Sequence, residues 1–272
     1  MKNIIILGAN ADIGANITKY YLNSGAQVIG TYRRRKPKIN NGICNQLILR
    51  KCDITKDEDI SKLGKFVKKK KFKWDLIFSS IGTTEPIGKF FDLKFKNLKR
   101  SIEINLTGQI KAIHTLYPFK KKKVCNIVFL AGGGTNSSFA RYSAYTLSKI
   151  ALIKFCELID DENRDINIFI IGPGFTRTKG HLETIRAGER KAGKNFFREK
   201  KFMDSKKKGT KFKTIYDCIN WGIKVGRRTV GGRNLSVVHD NWGSVELRQK
   251  LKKDINMFKL RRHRNMFKLK EQ

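Results

Sequence analysis

The chain has 272 residues, 40% hydrophobic and 30% charged, with 59 Lys and Arg against 23 Asp and Glu for a formal net charge of +36. That length suits one large α/β domain, and the apolar share supports a sizeable core, which excludes wholesale disorder. No apolar run approaches the roughly 18 residues of a membrane helix, and Asn3–Leu7 is too short for a secretory leader.

Five cysteines (Cys44, Cys52, Cys125, Cys156 and Cys218) form no Cys-x-x-Cys pair. They read as reduced core thiols and point to the cytoplasm. The histidines are scattered singly, so no metal site is expected. The positive charge fits either a polyanion partner or a solvated surface. The lysines spread along the whole chain, with runs at Lys68–Lys71, Lys120–Lys123 and Lys206–Lys208. This spread favours the solvated surface, with no specific nucleic-acid binding. The segment 244–272 is denser still and reads as a basic C-terminal extension of a domain spanning 1–243.

In chain order, short apolar runs alternate with segments of helical period, the pattern of βα units around a parallel sheet. Asn3–Leu7 is expected as a strand, Asp12–Asn23 as a helix, and Gln27–Tyr32 and Gln46–Cys52 as the next two strands. A helix over Asp57–Lys70 leads to a strand at Trp74–Ser80, then to a long helix over Asp92–Tyr117. Val124–Ala131 is the fifth strand, Ser143–Leu158 a helix and Ile166–Ile171 the sixth strand. The stretch from Gly172 to Lys211 reads as irregular and is too long for an ordinary connection, which makes it a lid-like substrate segment. A helix near Thr214–Gly226 and a strand at Asn234–Val238 complete the domain. The strands are nearly continuous in apolar residues, as in a sheet covered on both faces. The expected fold is therefore an α/β, Rossmann-type doubly wound parallel sheet of about seven strands, with helices on both faces.

The first strand runs into Gly8-Ala9-Asn10-Ala11-Asp12-Ile13-Gly14 and then directly into a helix. Gly8 permits the tight turn, and Gly14 lets the helix N-terminus come close to a pyrophosphate, whose charge the helix dipole favours. The second strand ends in Thr31-Tyr32-Arg33-Arg34-Arg35, with no carboxylate to accept ribose hydroxyls. Arg33 and Arg34 instead suit a 2′-phosphate through paired hydrogen bonds, which favours NADP over NAD.

The glycine turn resembles the Gly-x-x-x-Gly-x-Gly of the short-chain dehydrogenase/reductase family, with Asp12 in place of the middle glycine. Further matches follow in the family's order: Asp53-Ile54, Ser79-Ser80-Ile81-Gly82, Asn105, the Tyr145-Thr146-Leu147-Ser148-Lys149 motif, and Pro173-Gly174 with Thr178. The resemblance implies a nicotinamide dinucleotide held by Gly8, Asn10, Asp12, Ile13 and Gly14 at its phosphates. It implies Asp53 and Ile54 at the adenine, Ser80 and Gly82 among the cofactor-binding residues, where the family usually has Asn-Asn-Ala-Gly, and Pro173, Gly174 and Thr178 at the nicotinamide. A homodimer or homotetramer, formed through the helices on either side of the fifth strand, is implied as well.

Tyr145 and Lys149 lie at i and i+4, on one helix face. A cation beside a phenol lowers its pKa, and the phenol can then exchange a proton with a carbonyl or alcohol oxygen while hydride moves. Spacing alone carries no weight here, because Tyr32–Lys36 and Tyr117–Lys121 fit it too. Only Tyr145 opens the helix after the fifth strand, where strand ends gather a ligand crevice. By the resemblance, Lys149 also holds the ribose hydroxyls and Asn105 supports a water relay to it.

The family's serine, about 13 residues before the tyrosine, falls here on Gly132 of Ala131-Gly132-Gly133-Gly134. Thr135, Ser137, Ser138 or a backbone N–H of the glycine turn could supply the donor, or catalysis is impaired. His114 reads as an ordinary helix residue, His181 and His239 as cleft candidates, and Trp242 as a packing residue. The expected function is hydride transfer between NADPH and a carbonyl or secondary alcohol. The substrate is expected to be a small molecule, polar or sugar-derived, because the lid segment carries Arg177, Lys179, Arg186, Arg190, Lys191 and Lys194. The alternatives are a dinucleotide-binding sensor or scaffold without catalysis, motivated by Gly132, and a nucleic-acid binder, which no zinc knuckle or helix-turn-helix supports.

Overall fold

Each apolar run becomes a strand: β1 (Asn3–Leu7), β2 (Gln27–Tyr32), β3 (Leu47–Lys51), β4 (Leu76–Ser79), β5 (Cys125–Leu130), β6 (Ile166–Gly172) and β7 (Asn234–Ser236). All pair in parallel, in one sheet of order β3-β2-β1-β4-β5-β6-β7. The order reverses between β1 and β4, and such a switch point leaves a crevice beyond the carboxyl ends of the strands. The computed structural model describes residues 1–39, 46–205 and 209–262, so Cys44, Lys206–Lys208 and the last ten residues of the basic extension lie outside the described residues.

Alternation along the strands builds a core on each face. Ile5 and Leu7 of β1 join Ile127 and Phe129 of β5 against the helices α2 (Asp57–Lys69), α4 (Gly108–Leu116) and α5 (Ser143–Glu162). Ile4 and Ile6 point the other way, with Val128 and Phe169, against α1 (Asp12–Asn23) and α8 (Phe212–Val225). Cys52, Cys125, Cys156 and Cys218 are buried free thiols within these cores. Burial pushes Cys52 and Cys218 each up to about 12, which leaves them without reactive thiolate.

The structure departs from the sequence expectation in two places. The long helix expected over Asp92–Tyr117 is interrupted: a short 3-10 turn precedes α3 (Phe95–Ile102), and a π-helical stretch, Glu103–Thr107, separates it from α4. Apolar periodicity continues across such a bulge, so it leaves little trace in the pattern. The stretch 172–211, expected to be irregular, carries two helices, α6 (Lys179–Ala192) and α7 (Lys194–Asp204). Their composition hid them. Gly188, with φ of 75°, kinks the first, and neither helix contributes to the two sheet cores. Beyond α9 (Arg227–Val230) and β7, helix α10 (Val245–Lys253) buries Leu247 and Leu251. The Arg233 guanidinium binds this segment by donating to the carbonyls of Leu251 (2.7 Å), Asp254 (3.0 Å) and Met257. No helix among the described residues is long and apolar enough to cross a membrane.

Candidate active site

The turn after β1 is closed by its neighbours. Gly8 has φ of 84°, a conformation that favours glycine. Its N–H donates to Thr31 Oγ1 (3.0 Å) and its carbonyl accepts from Ser80 Oγ (2.8 Å). A β-carbon on Gly14 would lie 2.2 Å from the Gly8 carbonyl oxygen and 2.3 Å from Ser80 Oγ. Gly14 thus lets the first turn of α1 seat on Gly8 and Ser80, which fixes the helix N-terminus beside the turn. Asn10 is half-buried within the turn and Ile13 is buried beneath it. Asp12, in the first turn of α1, accepts a hydrogen bond from the Lys179 N–H at the start of α6 (2.7 Å).

At the far end of the crevice, Arg33 and Arg34 are exposed just past β2. Burial of the Asp53 carboxyl opposes its ionisation. Two bonds from Thr55 (N–H at 3.1 Å, Oγ1 at 2.9 Å) and the Arg33 and Arg100 guanidinium groups outweigh that and hold it below the usual carboxylate range. Arg33 therefore lies close enough to act on Asp53. Ile54 beside it is buried.

Tyr145 and Lys149 stand one turn apart at the start of α5, with Lys149 Nζ 5.9 Å from the centre of the tyrosine ring. Lys149 is buried, and its ammonium donates to the Leu130 carbonyl (2.8 Å). A β-carbon on Gly82 would lie 3.3 Å from Asn105 Oδ1 and 3.8 Å from Lys149 Nζ, so these three residues meet at one point. The Asn105 side chain clasps the loop after β4: Oδ1 accepts from Thr83 N (3.0 Å), and Nδ2 donates to Thr83 O (2.9 Å) and Ser101 Oγ (3.1 Å). Its carbonyl, within the π-helical stretch, accepts from Gln109 Nε2 (2.7 Å).

Electrostatics at this pair differ from the expectation of a lowered tyrosine pKa. Burial comes first, followed by the Glu183 and Glu199 carboxylates, and together they push the Tyr145 phenol up to about 12. Burial pulls the Lys149 ammonium down to about 8. Tyr145 is therefore held as a protonated phenol, a proton donor, and the low-dielectric surroundings outweigh the help of the nearby cation.

The covering elements are α6 and α7. Ala187 and Phe196 pack with Tyr145, Tyr142 and Phe139 in a cluster of their own. Glu183 accepts from Thr84 N (2.7 Å), Thr84 Oγ1 (2.7 Å) and Thr83 Oγ1 (3.2 Å), which fastens α6 to the loop after β4. His181 ties α6 to α7 through Glu199, and its Nε2–H donates to the Thr176 carbonyl (2.7 Å). Pro173 is half-buried, Gly174 has φ of 72° and Thr178 is the N-cap residue of α6, so all three lie between β6 and the cover. His239 is exposed past β7 and His114 is exposed on α4. Trp242 packs against Trp221, with ring centres 6.2 Å apart, and its indole donates to Val237 O (3.0 Å).

Sequence reasoning missed Glu183, Glu199 and Gln109. Gln109 stood four residues after Asn105 on one helix face, a signal that was readable. No sequence signal marks the two glutamates, because they reach Tyr145 only through the fold of α6 and α7. At Gly132, a β-carbon would collide with the Tyr145 hydroxyl. Of the nearby hydroxyls, Thr135 is half-buried while Ser137 and Ser138 are exposed.

A sequence model described as short chain dehydrogenase matches residues 2–188, from β1 into α6. An uncharacterized oxidoreductase of Saccharomyces cerevisiae is 25% identical over 181 residues, 65% of this chain and 71% of that protein. Farnesol dehydrogenase of Aedes aegypti is 27% identical over 201 residues, 69% of this chain and 82% of that protein. A crystal structure of a short chain dehydrogenase/reductase from Saccharomyces cerevisiae superposes with a TM-score of 0.79 at 21% identity, covering 89% of this chain and 98% of that one. A short chain dehydrogenase of Shigella flexneri complexed with NADP superposes with a TM-score of 0.71 at 18% identity, covering 87% and 96%. The match spans the glycine turn, Asn105, Tyr145, Lys149 and the Pro173-Gly174 pair, and the chain belongs to the short chain dehydrogenase family.

Proposed function

We propose that the protein is an NADPH-dependent oxidoreductase that interconverts a carbonyl compound and a secondary alcohol. The observation that carries this reading is the buried Lys149 ammonium, one turn from Tyr145 and facing Gly82 and Asn105. It spends one hydrogen bond on Leu130 and keeps two N–H donors for a ligand. A buried cation with spare donors is costly unless something takes them, and ribose hydroxyls would.

The chain's own residues fit a dinucleotide. Gly8, Asn10, Asp12, Ile13 and Gly14 would flank its diphosphate, Ser80 and Gly82 its ribose, and Asp53 and Ile54 its adenine. Pro173, Gly174 and Thr178 would line the nicotinamide end. Arg33 and Arg34, with no carboxylate at the end of β2, support NADP over NAD. A bound nicotinamide dinucleotide would supply or accept the hydride. Tyr145, held protonated, would donate its phenolic proton to a carbonyl oxygen, and Lys149 would keep positive charge beneath the phenolate that results. Asn105 would position the loop after β4 against both. The buried free thiols suit a reducing compartment such as the cytoplasm. On the family resemblance, the working unit is a homodimer or homotetramer.

A second reading, a dinucleotide-binding sensor without turnover, is favoured by Gly132 and by the cover over Tyr145. NADPH oxidation against a panel of ketones and aldehydes, wild type beside Tyr145→Phe, separates the two. Turnover lost by about 10²–10³-fold in the variant, with NADPH still bound, supports the enzyme. NADPH binding without turnover on any carbonyl supports the sensor.

A further inference from the structure

The cover brings apolar surface to Tyr145. Ile87, Phe139, Tyr142, Ala187 and Phe196 pack with it in one cluster, separate from both sheet cores. Phe139 stacks on Tyr142, with centres 4.3 Å apart and planes 10° apart, and meets Tyr145 edge-on at 6.5 Å. The Tyr142 hydroxyl is spent on Thr184 Oγ1 (3.0 Å), so this ring also presents carbon. A molecule that approaches Tyr145 from this side meets these carbons. Each methylene it buries there favours binding, whereas an unpaired polar group placed there costs.

Of the charges at the same place, the Lys149 ammonium lies on the side proposed for the ribose, and those the cover brings are negative. Glu183 and Glu199 are the carboxylates whose fields act on the phenol. The bases that suggested a polar or sugar-derived substrate are engaged elsewhere or exposed. Arg177 donates to the carbonyls of Phe202 (3.3 Å), Met203 (2.9 Å) and Ser205 at the end of α7. Lys179, Arg186, Arg190, Lys191 and Lys194 are exposed. Arg198 pairs with Glu199 at 3.3 Å and lies over the Phe139 and Phe175 rings, which leaves it partly neutralised. An anionic group beside Tyr145 would meet Glu183, while Lys179, Arg186, Arg190, Lys191 and Lys194 stand exposed, where solvent screens their charge.

We infer that the substrate is an uncharged, largely apolar ketone or aldehyde, and that Glu183 is the specificity residue that turns anionic analogues away. This rests on the oxidoreductase reading above. In the reduction, hydride from NADPH forms the new C–H bond as the carbonyl π bond breaks, and the Tyr145 proton forms the O–H bond. The products are the alcohol and NADP⁺, and the phenolate is reprotonated from solvent.

The test compares methyl 4-acetylbenzoate, 4-acetylbenzoate and D-glyceraldehyde as substrates with NADPH. The neutral ester is expected to exceed both others in kcat/KM by about tenfold or more. Glu183→Gln should raise kcat/KM for the acid by about threefold or more while the ester changes less. Thr84→Val removes a donor to Glu183 but keeps the charge, and should shift ester and acid together. Equal or faster turnover of the acid, or of D-glyceraldehyde, overturns the inference, as does Glu183→Gln moving acid and ester alike. If other ketones or aldehydes are reduced but the ester is not, the inference alone is overturned; if NADPH binds and no carbonyl of the wider panel is reduced, the oxidoreductase reading falls, and the inference with it.

Discussion

A β-carbon on Gly132 would stand 2.2 Å from the Tyr145 hydroxyl oxygen and 2.6 Å from the ring carbon that bears it. The tyrosine fills the space that any side chain at 132 would need. Restoring the family's serine by Gly132→Ser is therefore expected to displace Tyr145 rather than add a working donor. Overpacking of this kind costs about 1–3 kcal/mol. The variant should melt lower and reduce its best substrate no faster than wild type. A rise in kcat with an unchanged Tm would show that the two side chains coexist.

Lys149 sets a pH dependence. Burial lowers its ammonium from 10.5 to about 8 in the folded protein. Folding thus favours the neutral amine. The charged form destabilises the fold fully below about pH 8, and the penalty is relieved as pH rises toward the unfolded value of 10.5. Lys149→Met should accordingly be more stable than wild type at pH 7, by up to about 2–3 kcal/mol, with the advantage shrinking by pH 10. The same variant should bind NADPH more weakly. Thermal melts at the two pH values, beside a fluorescence titration of NADPH, measure both effects. A variant that is less stable at pH 7 would contradict this account.

Asp12 places a carboxylate at the N-terminus of α1, the position where a helix favours an anion, and it is bonded to Lys179 N–H. A dinucleotide diphosphate brings further negative charge to the same helix end. Asp12→Gly is expected to tighten NADPH binding by about three- to tenfold at low salt, with less gain as salt screens the repulsion. It should also loosen the start of α6, which limited proteolysis would register. Weaker binding in the variant would mean that Asp12 assists the cofactor.

Arg33 follows β2 directly and acts on Asp53. Arg33→Glu should weaken NADPH binding by about 10–100-fold and leave NADH within about threefold, since only the former carries the 2′-phosphate that the guanidinium can pair. Equal losses for both cofactors would move Arg33 from specificity to local structure.

Much of this protein is written locally. All seven strands were visible as apolar runs, because a strand covered on both faces needs apolar residues throughout and turn residues at its ends. The Gly8–Gly14 turn was legible for a similar reason: tight turns and close helix approach tolerate few residue types. Tyr145 was picked out from Tyr32 and Tyr117 by its position after the fifth strand, since spacing could not separate them. Helices α6 and α7 were not legible, because they pack on Phe139, Tyr142 and Tyr145 instead of on the sheet and carry no helical apolar stripe. Only the tertiary structure brings Glu183 and Glu199 to the phenol, and only it buries Lys149. The motif by itself, with a lysine one turn away, points to a lowered Tyr145 pKa, whereas burial and the two carboxylates raise it. Proximity along a helix is a property of the chain. Desolvation and the field of distant carboxylates exist only once the chain has folded over them.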